Sequence, residues 1–156
     1  MAKILDEIEI DESNEDEAYV EYDIATYPSD NTLAVFRDSY KNGDIIIPKF
    51  QRRYVWSLKQ ASLLVESFLL GLPVPPIFLY VNSEKKSEII DGQQRLVSMM
   101  YFFEGYFGEA DAKGKRETFR LTGLAERSPF LDKTFEELDE RYQRTSCLRT
   151  FLSQFS

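Results

Sequence analysis

Ile89-Ile90-Asp91-Gly92-Gln93-Gln94-Arg95 sets an acid, two amides and an arginine around a glycine, where an extended run meets an apolar helical pattern. Ile89 and Ile90 favour a strand, Gly92 permits a tight turn with positive φ, and Leu96, Val97, Met99, Met100 and Phe103 recur at helical spacing. The polar cluster is therefore predicted at a helix N-terminus. Unpaired amides and the positive end of the helix dipole stabilise an anion there, and Arg95 adds a planar, permanently charged fork. Phosphate binding is the chemistry such a set performs. The same pattern also serves as an ordinary strand, turn and helix, with Asp91 as the cap and Arg95 on the solvated face.

A second polar cluster lies upstream. Asp44-Ile45-Ile46-Ile47-Pro48 reads as a buried strand ended by proline, and Lys49-Phe50-Gln51-Arg52-Arg53-Tyr54-Val55-Trp56 follows at once. Ligands in α/β architectures gather beyond the carboxyl ends of strands, so the two ends are predicted to build one concave site. In that site Arg52 and Arg95 converge, with Gln51 and Asp91 at the wall. The plainer account puts an arginine of the Arg52-Arg53 pair in a surface ion pair and most of Phe50, Tyr54 and Trp56 in the core.

The elements that must position these groups read as an α+β alternation. A helix is expected over residues 32–41, capped by Asp30 or Asn31, with Leu33, Phe36 and Tyr40 on one face and Gly43 beyond its end. Ser57 opens a second helix, Gln60 completes a capping box, and Gly71 ends it. Pro73, Pro75 and Pro76 force an extended path into a strand over 77–81, and the turn at 82–87 returns the chain as 88–90, so a hairpin delivers it to Asp91. Alternation at Phe119 and Leu121 predicts an added edge strand on the same sheet, and residues 135–144 are amphipathic enough for a helix. Residues 147–152 have strand or helix character with no natural stop, which suggests a fragment or a short stand-alone protein.

Together the two clusters resemble the family called domain of unknown function 262, whose best-described members are the N-terminal halves of GmrSD-type modification-dependent restriction proteins. The resemblance rests on Tyr27-Pro28-Ser29-Asp30, Ile47-Pro48-Lys49-Phe50-Gln51-Arg52, Tyr54-Val55-Trp56, Glu66-Ser67, the run from Gly71 to Leu79, and Ile90-Asp91-Gly92-Gln93-Gln94-Arg95-Leu96. It runs in order over roughly residues 27–108, and nothing carries over beyond them. It implies a ParB/sulfiredoxin-like fold, a small mixed sheet with packed helices. It also implies binding and hydrolysis of a nucleoside triphosphate, with Mg2+, in a prokaryotic system acting against foreign or modified DNA. Gln51 and Arg52 match the first motif, and Asp91, Gly92, Gln93, Gln94 and Arg95 the second. Nucleotide contacts then fall to Gln51, Arg52, Gly92, Gln93 and Arg95, the reaction to Asp91, Gln94 and Arg95, and the metal to Asp91.

Composition bounds the alternatives. The 156 residues suit one domain, and 14% aromatic content supplies bulky core side chains. Histidine is absent, which excludes from this chain a Ser-His-Asp triad, a Cys-His dyad, a His-Cys zinc site and a His-Asn-His nuclease centre. Magnesium suits the oxygen ligands that remain. A lone Cys147, no long apolar run and no signal peptide lead to a cytoplasmic expectation.

Charge is unevenly spread. The net charge is -8, yet residues 1–23 hold ten acidic groups and only Lys3 as a base, leaving residues 24–156 at +1. The reading is an acidic, solvated tail over 1–23, or a segment that mimics DNA, before a single domain over 24–156. No basic patch interleaved with aromatics stands out, so direct DNA contact has little compositional support.

Two functional classes follow. One is a nucleotide-hydrolysing sensor domain, in which a second metal-binding carboxylate is sought in Asp44, Glu88 or Glu66. The other is a non-catalytic nucleotide- or phosphate-binding module, or a ParB-like DNA-associated domain, signalling to an effector outside this chain. A structural ion pair with Arg95 or Arg52 is the preferred expectation for Glu66, because buried charges are usually paired.

Overall fold

The computed structural model describes residues 27–29, 31–47, 53–149 and 153–155. The acidic stretch 1–23, Gln51 and Arg52 lie outside the described residues. The order is β1 (Tyr27–Ser29), α1 (Leu33–Lys41), β2 (Ile45–Ile46), α2 (Leu58–Leu69), β3 (Ile77–Val81), β4 (Ser87–Asp91), α3 (Gln93–Glu104), β5 (Tyr106–Phe107), β6 (Glu117–Thr118), α4 (Glu140–Leu148) and β7 (Ser153–Phe155). The architecture is α+β. A mixed five-stranded sheet has the order β1-β7-β3-β4-β2.

Local chemistry explains most boundaries. The Ser57 side chain accepts from the Gln60 amide while the Gln60 side chain accepts from the Ser57 amide, so the expected capping box opens α2. Thr32, rather than Asp30 or Asn31, caps α1 by accepting from Val35 N at 3.4 Å. The hairpin expected from the turn at 82–87 forms, with Asn82 Oδ1 accepting from the Glu84 and Lys86 amides at 3.0 Å each. Ile77, Leu79 and Ile89 are buried while Tyr80 and Ile90 are exposed, the period-two signature of a sheet with one face on the core. Against that face lie Phe68 of α2 and Leu96, Met99 and Phe102 of α3.

Parallel pairing of β2 with β4, Ile45 opposite Ser87 and Ile46 opposite Glu88, has the largest consequence for the site. Parallel strands end on the same edge of a sheet. The chain leaving β2 toward residue 53 and the chain leaving β4 at Asp91 therefore emerge side by side, as the two strand ends led one to expect.

Two expectations are corrected. Phe119 and Leu121 add no edge to the main sheet, because β6 precedes them and pairs antiparallel with β5 in a separate two-stranded sheet. Their alternation reflects burial: both are 0% exposed, with Phe119 N donating to Gly105 O and Leu121 N to Lys133 O. The helix expected over 135–144 begins only at Glu140. Before it the chain turns, and Gln143 Nε2 donates back to the carbonyls of Phe135, Glu136 and Leu138, satisfying groups a continuous helix would have paired internally.

Arg149 ties the end of α4 to the rest. Its guanidinium donates to the carbonyls of Phe68 and Leu72 and stacks over the Phe68 ring at 4.9 Å, while its own carbonyl accepts from Leu33 N. Arg149→Ala should lower stability by about 2 kcal/mol, since two carbonyls lose charge-assisted bonds. Arg149→Lys should recover little, because an ammonium cannot span both carbonyls while stacking on the ring. Urea unfolding reads this directly, and an unchanged midpoint in Arg149→Ala would remove the staple.

Candidate functional site

Gly92 decides how the chain enters α3. It is left-handed, with φ 93° and ψ 12°, and it is the N-cap residue, so no side chain caps the first turn. The first backbone bond of the helix runs from Leu96 N to Gly92 O, so among the described residues the earlier amides stay open toward the end of β4. Asp91 is the last residue of β4 and not the cap. Opposite Asp91 stands Phe78, where the β3–β4 register shifts between Phe78 and Leu79, an irregularity of the kind that re-aims side chains beside binding sites.

Helical geometry divides the motif. Gln93, Val97 and Tyr101 share one face of α3 and line an open cavity of about 600 Å3 together with Tyr40, Ile47, Arg53, Tyr54, Gly108 and Glu109. Arg95 lies about 200° round the helix from Gln93. Its Nη2 donates to Pro76 O at 2.8 Å and pairs with Asp91 Oδ2 at 3.3 Å, while its buried Nε has no partner among the described residues. The Asp91 side chain remains 65% exposed. The two sides meet at the uncapped amides of the first turn.

Gln94 takes neither side. Its Oε1 accepts from Val55 N at 2.9 Å and Trp56 N at 3.3 Å, and its Nε2 donates to Arg53 O at 3.2 Å. The amide thus latches the segment after the first motif onto the helix that opens the second. One turn on, Ser98 Oγ donates to Gln94 O at 2.6 Å, so the Tyr54 hydroxyl, 2.9 Å away, is the donor in the Tyr54–Ser98 bond. Burial pushes the Tyr54 phenol up, and burial, then Glu109 and Tyr40, push the Tyr101 phenol up. Both rings are neutral walls at physiological pH. They meet edge to face at 5.1 Å, a packed arrangement that holds the cavity open.

Arg53, which sequence reasoning weighed as a surface arginine, is the described cation of this cavity. Its position one residue after the motif match offered no signal to prefer it. Glu109 and the tyrosine walls were also missed, since they gather from separate elements. The expected convergence of Arg95 with Arg52 concerns a residue outside the described ones, and Arg95 itself does not line the cavity.

Two of the three carboxylates expected as further metal ligands, Glu66 and Glu88, are engaged elsewhere. Glu66 Oε1 accepts from Ser128 Oγ at 2.6 Å, so its expected pairing with Arg95 is not what forms. Glu88 accepts from Asn82 Nδ2 at 2.9 Å within the hairpin. Among the described residues no group of three or more Cys, Asp or Glu side chains gathers as a metal site. Nor is any helix among them long and apolar enough to cross a membrane.

Comparison with curated proteins and with solved structures finds no match. The family model described as GmrSD restriction endonuclease, N-terminal domain, matches residues 33–154. That span takes in the parallel β2–β4 pair, the cavity, the Gly92 turn and α4, and by it the chain belongs to the family of GmrSD restriction endonuclease N-terminal domains.

Proposed function

We propose that this domain binds a nucleoside triphosphate at the head of α3 and acts as the nucleotide-hydrolysing sensor of a prokaryotic DNA restriction system. Family membership supports the restriction context and an effector domain elsewhere in the whole protein. One observation carries the nucleotide reading: a cavity walled by tyrosines opens beside uncapped helix amides, with Arg53 and Gln93 at that end. Open amides and a guanidinium favour phosphate, and aromatic walls suit a base. Gly92 lets the turn pack closely on Ile77 and Arg95, and Arg95 pairs with Asp91 at the end of β4. Gln51 and Arg52 belong to the same proposal by their motif match.

Magnesium suits this donor set as an ion held largely by phosphate. Mg2+ commonly takes one or two carboxylates with phosphate oxygens and water, and Asp91 is the exposed carboxylate at the strand end. Asp91 would hold it there, and the ion would offset phosphate charge. A non-catalytic binding module is the second reading. The absence of a carboxylate cluster among the described residues favours it, as does the commitment of the Gln94 amide to backbone.

Thermal shifts with the four nucleoside triphosphates, with and without magnesium, test the site. A ligand bound only to the native state at 100 times its Kd adds about 2.7 kcal/mol of stability. Asp91→Asn then separates the readings, because it keeps the size of the side chain and removes its charge. Binding should persist while magnesium-dependent phosphate release falls about a hundredfold or more. Release at the wild-type rate would take Asp91 out of the reaction, and no shift with any nucleotide would end the nucleotide reading.

A further inference from the structure

The cavity has two chemically different ends. Arg53 and Gln93 stand at the head of α3, whereas Glu109 lies beside Tyr101 and Tyr40 two turns along the same face. From Gln93 to Tyr101 the helix rises about 12 Å, eight residues at about 1.5 Å each. Neither Arg53 nor Glu109 has an ion-pair partner among the described residues, and they do not pair with each other. One unspent cation and one unspent anion therefore face a shared space.

The Glu109 end is held in place. Arg116 Nε donates to Gly108 O at 2.9 Å, its Nη1 pairs with Glu104 at 3.1 Å, and its guanidinium lies 5.5 Å from the Tyr101 ring centre. The residue before Glu109 and the ring beside it are thus anchored by one side chain whose own charge Glu104 already balances. Tyr101 also meets Phe107 edge to face at 6.1 Å. What this end offers is a fixed aromatic edge and a carboxylate that accepts from no donor among the described residues.

We infer, building on the nucleotide reading, that the ligand lies along α3 with its phosphates at Arg53 and Gln93 and its base at Tyr101, and that Glu109 selects guanine. Guanine presents two adjacent N–H donors, N1–H and the 2-amino group, which a carboxylate accepts together. Adenine and cytosine set a ring acceptor beside their amino group, and uracil flanks its single N–H with two carbonyls, so each turns a lone pair toward Glu109. A carboxylate rejects such edges because its own lone pairs are left opposed.

Calorimetric titration of the full chain with non-hydrolysable guanosine, inosine, adenosine and uridine triphosphates tests the assignment, with inorganic triphosphate as a base-free probe. The guanosine ligand should bind about tenfold tighter than the inosine ligand, which lacks only the 2-amino group, as expected for one charge-assisted bond at an open site. In Glu109→Gln that preference should shrink to about twofold, while inorganic triphosphate binds as before. Guanine preference that survives Glu109→Gln and Glu109→Ala, or its absence in the wild type, overturns the role of Glu109 and leaves the nucleotide site standing. Failure of every triphosphate to bind, the inorganic one included, overturns both. Glu109 is exposed on a loop, and unchanged melting of the two variants confirms that they fold.

Discussion

Gly92→Ala is expected to cost about 3 kcal/mol of stability and to weaken nucleotide binding with it. At φ 93° an added Cβ would stand 3.0 Å from Ile77 Cγ1, 3.1 Å from Arg95 Nη2 and 3.2 Å from Ile77 Cα. The left-handed conformation alone costs a residue with a Cβ about 1–3 kcal/mol, and forced overpacking costs a similar amount. Ile77 is fully buried in β3 and cannot yield without moving the sheet. Arg95 can yield, but only by giving up the Pro76 carbonyl and Asp91. Relief of the clash therefore dislodges the side chain that orients the acid at the strand end. Denaturant unfolding with an unchanged slope measures the first effect, and titration with a triphosphate the second. A midpoint equal to that of the wild type would show that the turn accepts a Cβ.

Gln94→Ala should release the segment 53–56 from α3. No backbone–backbone hydrogen bond ties residues 53–56 to the other described residues, so the three bonds from Gln94, the Tyr54–Ser98 bond and the packing of Tyr54 on Tyr101 and Phe107 hold it. Loss of the amide leaves two N–H groups and one carbonyl without partners, a cost of about 1–3 kcal/mol in view of their partial exposure. Arg53 loses its fixed place, and triphosphate affinity should fall about tenfold as the segment must be ordered anew on binding. Trp56 is the one tryptophan of the chain, so its fluorescence reports the release without a label. A red shift in Gln94→Ala that triphosphate reverses is the expected result. Emission unchanged from the wild type, with affinity intact, would mean that the segment keeps its place without Gln94.

Those two variants also mark where the sequence was readable. The Gly92 turn, the Ser57–Gln60 capping box and the β3–β4 hairpin follow from residues three to six positions apart, and such contacts form whatever the rest of the chain does. Each was expected from the sequence and each is present. Phe119 and Leu121 misled because alternation marks burial, and burial arises in an irregular segment as readily as in a strand. The false start of α4 has a related cause. Periodicity continued through Phe135 and Leu138, but the side chain of Gln143 in α4, rather than helical backbone amides, satisfies their carbonyls.

The site itself was half legible. Residue types and spacing located the Gly92 turn, and the ends of β2 and β4 lie side by side because the two strands pair in parallel. Which side chains face the cavity was not written in the motif. Gln93 and Arg95 are two residues apart, yet the turn of the helix sends them to opposite sides. Gln94 reaches across to residues 53–56, Glu66 to Ser128, and Tyr40, Tyr101 and Glu109 come from three different segments. Contacts at such separations carry no local period, because they are selected by how packed helices and sheet fill space, and they exist only once the chain has closed its long loops. Amino-acid order thus settled the Gly92 turn and the elements on either side of it, while packing chose the partners that set a cavity beside it.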